Sequence, residues 1–139
     1  MGITISSKRY SCDMGYGGFG RFRNVVAEKT SDKFYKHYMR LSNPNVMFIM
    51  GEERKKFFEK YDADTIKYIE ENEVTVEVAN FLFQPDCDGK IDRKQAKQIY
   101  DLIKNCDDDI IFGYAGREDC AKMSDMKKIF SDKTKVEWS

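Results

Sequence analysis

The chain is short of the residues that announce a specialised class. It has two prolines and nine glycines in 139 residues, too few for a low-complexity or collagen-like segment. No apolar run approaches the ~18–20 residues of a membrane-spanning helix, and the first residues, Met1 to Ser7, lack the charged start and apolar stretch of a secretory signal. There is one histidine, His37, with no Cys or His at ligand spacing. The four cysteines, Cys12, Cys87, Cys106 and Cys120, form no C-x-x-C pair. A structural zinc site needs four clustered ligands, and a disulfide framework needs an oxidising compartment, so free thiols and a cytoplasmic chain without membrane association are expected. Walker, kinase, zincin and nucleophile-elbow motifs are missing, so the sequence names no catalytic residue, metal ligand or cofactor.

What is present points to a single folded domain over residues 1–139. The apolar fraction is 41%, with ten Phe, eight Tyr and one Trp, and a chain of this length buries roughly two-thirds of its unfolded surface. Lys plus Arg equals Asp plus Glu at 24 each. The charges are unevenly spread. Residues 1–50 carry eight basic and three acidic side chains, whereas Asp62 to Glu77 holds six acids and only Lys67. A bipolar surface of this kind steers charged partners.

Alternation in Ile3-Thr4-Ile5 predicts a strand or hairpin running to about Met14. A helix is expected after the glycine-rich stretch, on Phe22, Val25 and Val26. Ser31 or Asp32 is a candidate cap for a second helix over Lys33 to Leu41, with Phe34, Tyr38 and Leu41 on one face and His37 exposed on the other. Ser42 to Asn45 breaks the chain. Val46-Met47-Phe48-Ile49-Met50 reads either as a buried strand or as the start of a helix running into Glu52 to Lys60. Tyr61 to Glu71 reads as helix with Ile66 and Ile69 inward. Thr75 caps a short helix ending near Phe83, although the β-branched content there also admits a strand. Asp92 and Gln95 form a capping box for a helix from Arg93 to about Lys104. Ile110 to Tyr114 is an expected strand, with a turn bracketed by Gly113 and Gly116. Glu118 to Phe130 is an expected helix, and Lys135 to Trp138 a terminal strand, its Trp138 buried beside Ile110–Tyr114. The order predicts an α+β fold in which a small, mainly antiparallel sheet packs with several helices.

Two stretches carry chemistry by their letters. Gly15, Gly17 and Gly20 match G-x-G-x-x-G, in which glycines let backbone N–H groups approach a pyrophosphate. The polar segment before them, Lys8 to Asp13, does not suit a buried parallel strand. A wider reading takes Arg9, Tyr10, Tyr16, Phe19, Arg21 and Arg23 as the binding residues. Aromatic faces stack on bases and arginines clamp phosphates, and the same residue types dominate protein interfaces. The alternative to both is a turn into a helix whose aromatics enter the core. The second stretch, Asp86-Cys87-Asp88-Gly89-Lys90-Ile91-Asp92, has the middle of a calcium loop, but Gln84 and Gln95 stand where calcium requires carboxylates. A metal-free structural turn is therefore expected.

At Met14-Gly15-Tyr16-Gly17-Gly18-Phe19, at Phe83-Gln84-Pro85-Asp86-Cys87-Asp88-Gly89-Lys90-Ile91 and at the ending Glu137-Trp138-Ser139, the chain resembles small accessory proteins of bacterial phages and prophages. Those proteins pair a DCDG or DCEG loop with a following helix and end in an aromatic-Ser strand. No activity is established for that group, so the resemblance transfers no catalytic residue. It implies a phage gene product in the bacterial cytoplasm that acts by stoichiometric binding of a host protein, such as a defence factor. The alternative expectation is a nucleotide- or single-stranded nucleic-acid-binding protein, or a small enzyme, using residues 9–23.

Overall fold

The chain was analysed as a computed structural model, which describes residues 2–114 and 120–139. Strand β1 (Gly2–Ser6) and strand β2 (Ser11–Gly15) form an antiparallel hairpin with Ile3 opposite Met14 and Ile5 opposite Cys12. Side chains alternate across a strand, so Ile3, Ile5 and Met14 turn inward. Thr4 turns outward and donates to Asp13 Oδ1 at 2.6 Å. Helix α1 (Tyr16–Thr30) buries Phe19, Phe22, Val26 and Ala27 on one face. Ser31 then accepts from the Phe34 N–H and starts α2 (Asp32–Met39), followed by a 3-10 turn at Arg40–Ser42. A four-residue helix α3 (Pro44–Met47) precedes the twenty-residue α4 (Gly51–Glu70). Thr75 caps α5 (Val76–Phe83), which settles residues 75–83 as helix.

Strand β3 (Gly89–Ile91) leads through the Asp92–Gln95 capping box into α6 (Arg93–Ile103), as the sequence predicts. Beyond it lie β4 (Ile111–Tyr114), β5 (Cys120–Lys122), α7 (Met123–Phe130) and β6 (Val136–Trp138). β2, β1, β6 and β3 form a four-stranded antiparallel sheet in that order, and β4 with β5 forms a separate two-stranded one. The fold is α+β with a small antiparallel sheet packed against helices. No helix among the described residues is long and apolar enough to cross a membrane.

Three local expectations change. The helix expected over 118–130 begins only at Met123, because residues 120–122 pair with β4; Glu118, Asp119 and the turn glycine Gly116 lie outside the described residues. Ile66 is 57% exposed. It sits about 100–160° around the helix from Tyr61, Thr65 and Tyr68, the face that meets α2, and Ile69 alone of the two isoleucines packs on the core. Trp138 is buried as expected but not beside Ile110–Tyr114. β6 inserts between β1 and β3, with Trp138 opposite Ile5 and Gly89. The indole packs on Phe19 and Phe81 and donates from Nε1 to the Pro85 carbonyl at 3.0 Å.

The glycine-rich stretch is helix, not loop: Gly17, Gly18 and Gly20 all belong to α1. Gly18 sits where α1 crosses β4, and a Cβ built on it lands inside the contact distance of the Phe112 carbonyl oxygen. A Cβ on Gly17 meets nothing within 4 Å. Close helix–strand packing accounts for Gly18, which is not one of the three glycines of the G-x-G-x-x-G match. Gly18→Ala should therefore lower stability by about 1–3 kcal/mol through overpacking, while Gly17→Ala should raise it by about 0.5 kcal/mol through reduced backbone entropy in the unfolded chain. Urea unfolding of the two variants measures both, and equal effects would refute the crossing.

Candidate functional site

Helical geometry scatters the six predicted binding residues. Phe19 is fully buried, edge-on to Phe81 and tilted against Trp138. Arg23 is 5% exposed. Its Nη1 donates to the carbonyls of Leu82 at 2.9 Å and Gln84 at 2.6 Å, and its Nη2 to that of Pro85 at 3.0 Å. The guanidinium carbon lies 4.4 Å from the centre of the Phe19 ring. Burial lowers the Arg23 pKa, opposed by the nearby Tyr38 hydroxyl and Asp86. Phe19 and Arg23 are thus core residues rather than surface contacts. The helical period that spaces them four apart puts both on the inner face. Arg21 is exposed and reaches over Gly113, and Tyr16 is half-buried at the start of α1.

Arg9 and Tyr10 sit elsewhere, in the β1–β2 turn. Arg9 Nε lies 2.5 Å from Oδ1 of the buried Asp132, whose Oδ2 accepts from the Arg9 N–H at 2.9 Å and the Ser7 hydroxyl at 2.8 Å. Burial opposes ionisation of Asp132, but the Arg9 N–H, the Ser7 hydroxyl and the Arg9 guanidinium outweigh it and hold the carboxyl below its usual range. Arg9 is a clasp between the hairpin and the α7–β6 turn. The 84–89 loop is likewise tied inward. The Gln84 side-chain amide donates to the Lys90 carbonyl at 2.9 Å and accepts the Lys90 N–H at 3.1 Å, as a neighbouring strand would.

The surface feature that the sequence did not resolve is the corner between α3 and α4. Residues 46–50 are neither a buried strand nor the first turn of α4. Asn43 caps the single turn of α3 by accepting the Asn45 N–H at 2.9 Å. The Phe48 and Ile49 N–H groups bond to Pro44 and Val46, at 3.2 Å each. Gly51 then takes a φ of +64°, a left-handed turn that a side chain disfavours, and starts α4 in a new direction. Backbone bonds hold this segment, and its side chains are left bare: Met47 is 60%, Phe48 79% and Met50 80% exposed. Among residues 51–60 of α4 none is buried. Arg40 lies over Phe57 and Arg54 over Phe58, each ring also touching Tyr61. The signal was available: an apolar pentapeptide followed by Glu52-Glu53-Arg54-Lys55-Lys56 adjoins no second apolar stripe that would draw it into a core.

His37, expected on the solvent face, is 3% exposed. Its ring stacks on Tyr61 with centroids 3.9 Å apart, and Nε2 shares a 2.7 Å hydrogen bond with the Thr65 hydroxyl, while Nδ1 has no partner. The long α4 covers what an isolated α2 leaves open. Comparison with known proteins returns no match: no protein-family model, no curated protein and no solved structure is significantly similar to the chain.

Burial, reinforced by Arg40 and opposed by Asp64 and Asp62, lowers the His37 pKa to about 4. The ordinary value is near 6.5, so folding favours the neutral ring. That contribution is complete above about pH 6.5 and is lost as pH falls toward 4. It amounts to about 3 kcal/mol at most. Wild type and His37→Phe should therefore diverge in their urea midpoints between pH 7 and pH 4.5, the wild type falling more steeply. Parallel pH profiles would show that His37 does not titrate on unfolding.

Proposed function

We propose that the chain acts by stoichiometric binding of a protein partner, and that the α3–α4 corner makes the contact. The exposure of Met47, Phe48 and Met50 carries this reading. Burying a side chain of this size is worth about 1.5–3 kcal/mol, so three bare in one corner forgo a contribution that a partner would recover. Methionine adapts to irregular surfaces, and aromatic and methionine side chains are enriched at the centres of interfaces. The charged flank from Glu52 to Lys56 supplies a polar rim around the apolar centre. In the phage setting implied by the sequence resemblance, the partner is a host protein, and a defence factor is the reading we favour. Arg9, Phe19 and Arg23 are committed to internal contacts, which leaves the 9–23 segment fewer groups for a nucleotide than its letters offer.

Phe48→Asp with Met50→Ser tests the corner. The two side chains are exposed, so stability should change by no more than about 0.5 kcal/mol. The tagged wild type should retain one dominant host protein in equimolar amount, and the folded double variant should lose it, whereas Arg21→Glu should keep it. Retention by the folded double variant at wild-type stoichiometry would move the contact elsewhere.

A further inference from the structure

The side of the molecule bearing α6 and the turn after α7 holds a cleft of about 350 Å³. Its apolar floor is the half-buried Tyr100, backed by Phe130, which is 1% exposed with its ring stacked on Phe22 in the core, and Arg93, Lys97, Asp101 and Lys133 surround it. The one carboxylate is already engaged, Asp101 lying 3.2 Å from Lys97 and 3.8 Å from Lys104. Arg93 and Lys133 make no ion pair among the described residues. Lys133 also holds a φ of +59°, a left-handed conformation that glycine or asparagine takes far more readily than lysine. Such strain is tolerated where the surrounding structure fixes it, and it clusters at ligand sites.

Two uncompensated cations over an apolar floor fit an amphipathic anion. A phosphate monoester carries about −1.5 to −2 at neutral pH, which matches the unpaired charge. A cleft of this volume is at the small end of ligand pockets, which run from about 300 to 1,000 Å³, and it admits one ring system with its phosphate. We infer that this cleft binds a small molecule in which an aromatic ring carries a phosphate monoester, the ring against Tyr100 and the phosphate between Arg93 and Lys133. This site is separate from the α3–α4 corner and stands or falls without it.

Calorimetric titration with phenyl phosphate and with adenosine 5′-monophosphate tests the inference, with inorganic phosphate and adenosine as the half-ligands. At least one phosphorylated ring should bind with a Kd below about 1 mM and at least about tenfold more tightly than either half-ligand. Which of the two binds distinguishes a phosphorylated phenol from a nucleotide. Arg93→Gln and Lys133→Gly should each weaken that binding about tenfold, as expected for the loss of a charge-assisted contact. Lys133→Gly should at the same time hold or raise the melting temperature, because glycine relieves the left-handed backbone. Failure of both probes to bind, inorganic phosphate binding as tightly as the whole ligand, or folded variants binding like wild type would each overturn the assignment.

Discussion

The structure turns on one buried guanidinium. Arg23 spans from the inner face of α1 to the C-terminal end of α5 and the chain that leaves it, where three carbonyls, those of Leu82, Gln84 and Pro85, receive it. A charge taken out of water is costly unless it is paired or hydrogen-bonded, and the two Nη groups of Arg23 are bonded while its buried Nε is left without a partner. Here it is met by carbonyl dipoles and by the faces of Phe19, Phe81 and Trp138. Trp138 then donates to the same Pro85 carbonyl. The helix, the loop and the last strand are therefore joined through one point. The loop must adopt one conformation to present its carbonyls, and the C-terminal strand must reach the sheet to complete the cage of rings.

That constraint explains the 84–92 segment better than its likeness to a calcium loop. With its carbonyls drawn inward to Arg23 and Trp138, the loop delivers Gln84 to the outer edge of β3, where its amide occupies the hydrogen-bonding positions of a missing strand. Unpaired strand edges invite association with other chains, and a single side chain closes this one. Asp92 and Gln95 then convert the chain directly into α6. Gln84, Asp92 and Gln95 each have a structural partner, while Asp86 to Asp88 are exposed.

Local signals in the sequence were read where they act locally. The caps at Ser31, Thr75 and Asp92 need only their own next turn, and all three form. The β1–β2 hairpin and the inward set Met123, Met126, Ile129 and Phe130 follow from periodicity alone. What escaped depends on contacts distant in the chain. His37 is polar by its letter and by its helix, and is buried only because Tyr61 and Thr65, on a helix two elements later, cover it. The site proposed over residues 9–23 mixed two environments. Arg9 answers to Asp132, 123 residues away, and Arg23 to a loop about 60 residues away. An arginine count along the sequence does not separate a clasp, a core anchor and a solvated charge such as Arg21.

The same division separates the part of the molecule that is fixed from the part that is offered. The first half of α4 has no buried residue of its own, and its rings are held by Arg40 and Arg54 and by their neighbour Tyr61. Tyr61 is itself buried, edge-on to Phe83 and donating its hydroxyl to the His37 carbonyl. An isolated helix of this length is marginal in water, so the direction of the projecting turn is set by its anchorage at Tyr61 and by the left-handed Gly51 at its start. The His37–Tyr61 stack thus fixes the second half of α4 on α2, while Phe48 and Met50, before the helix begins, are left to solvent.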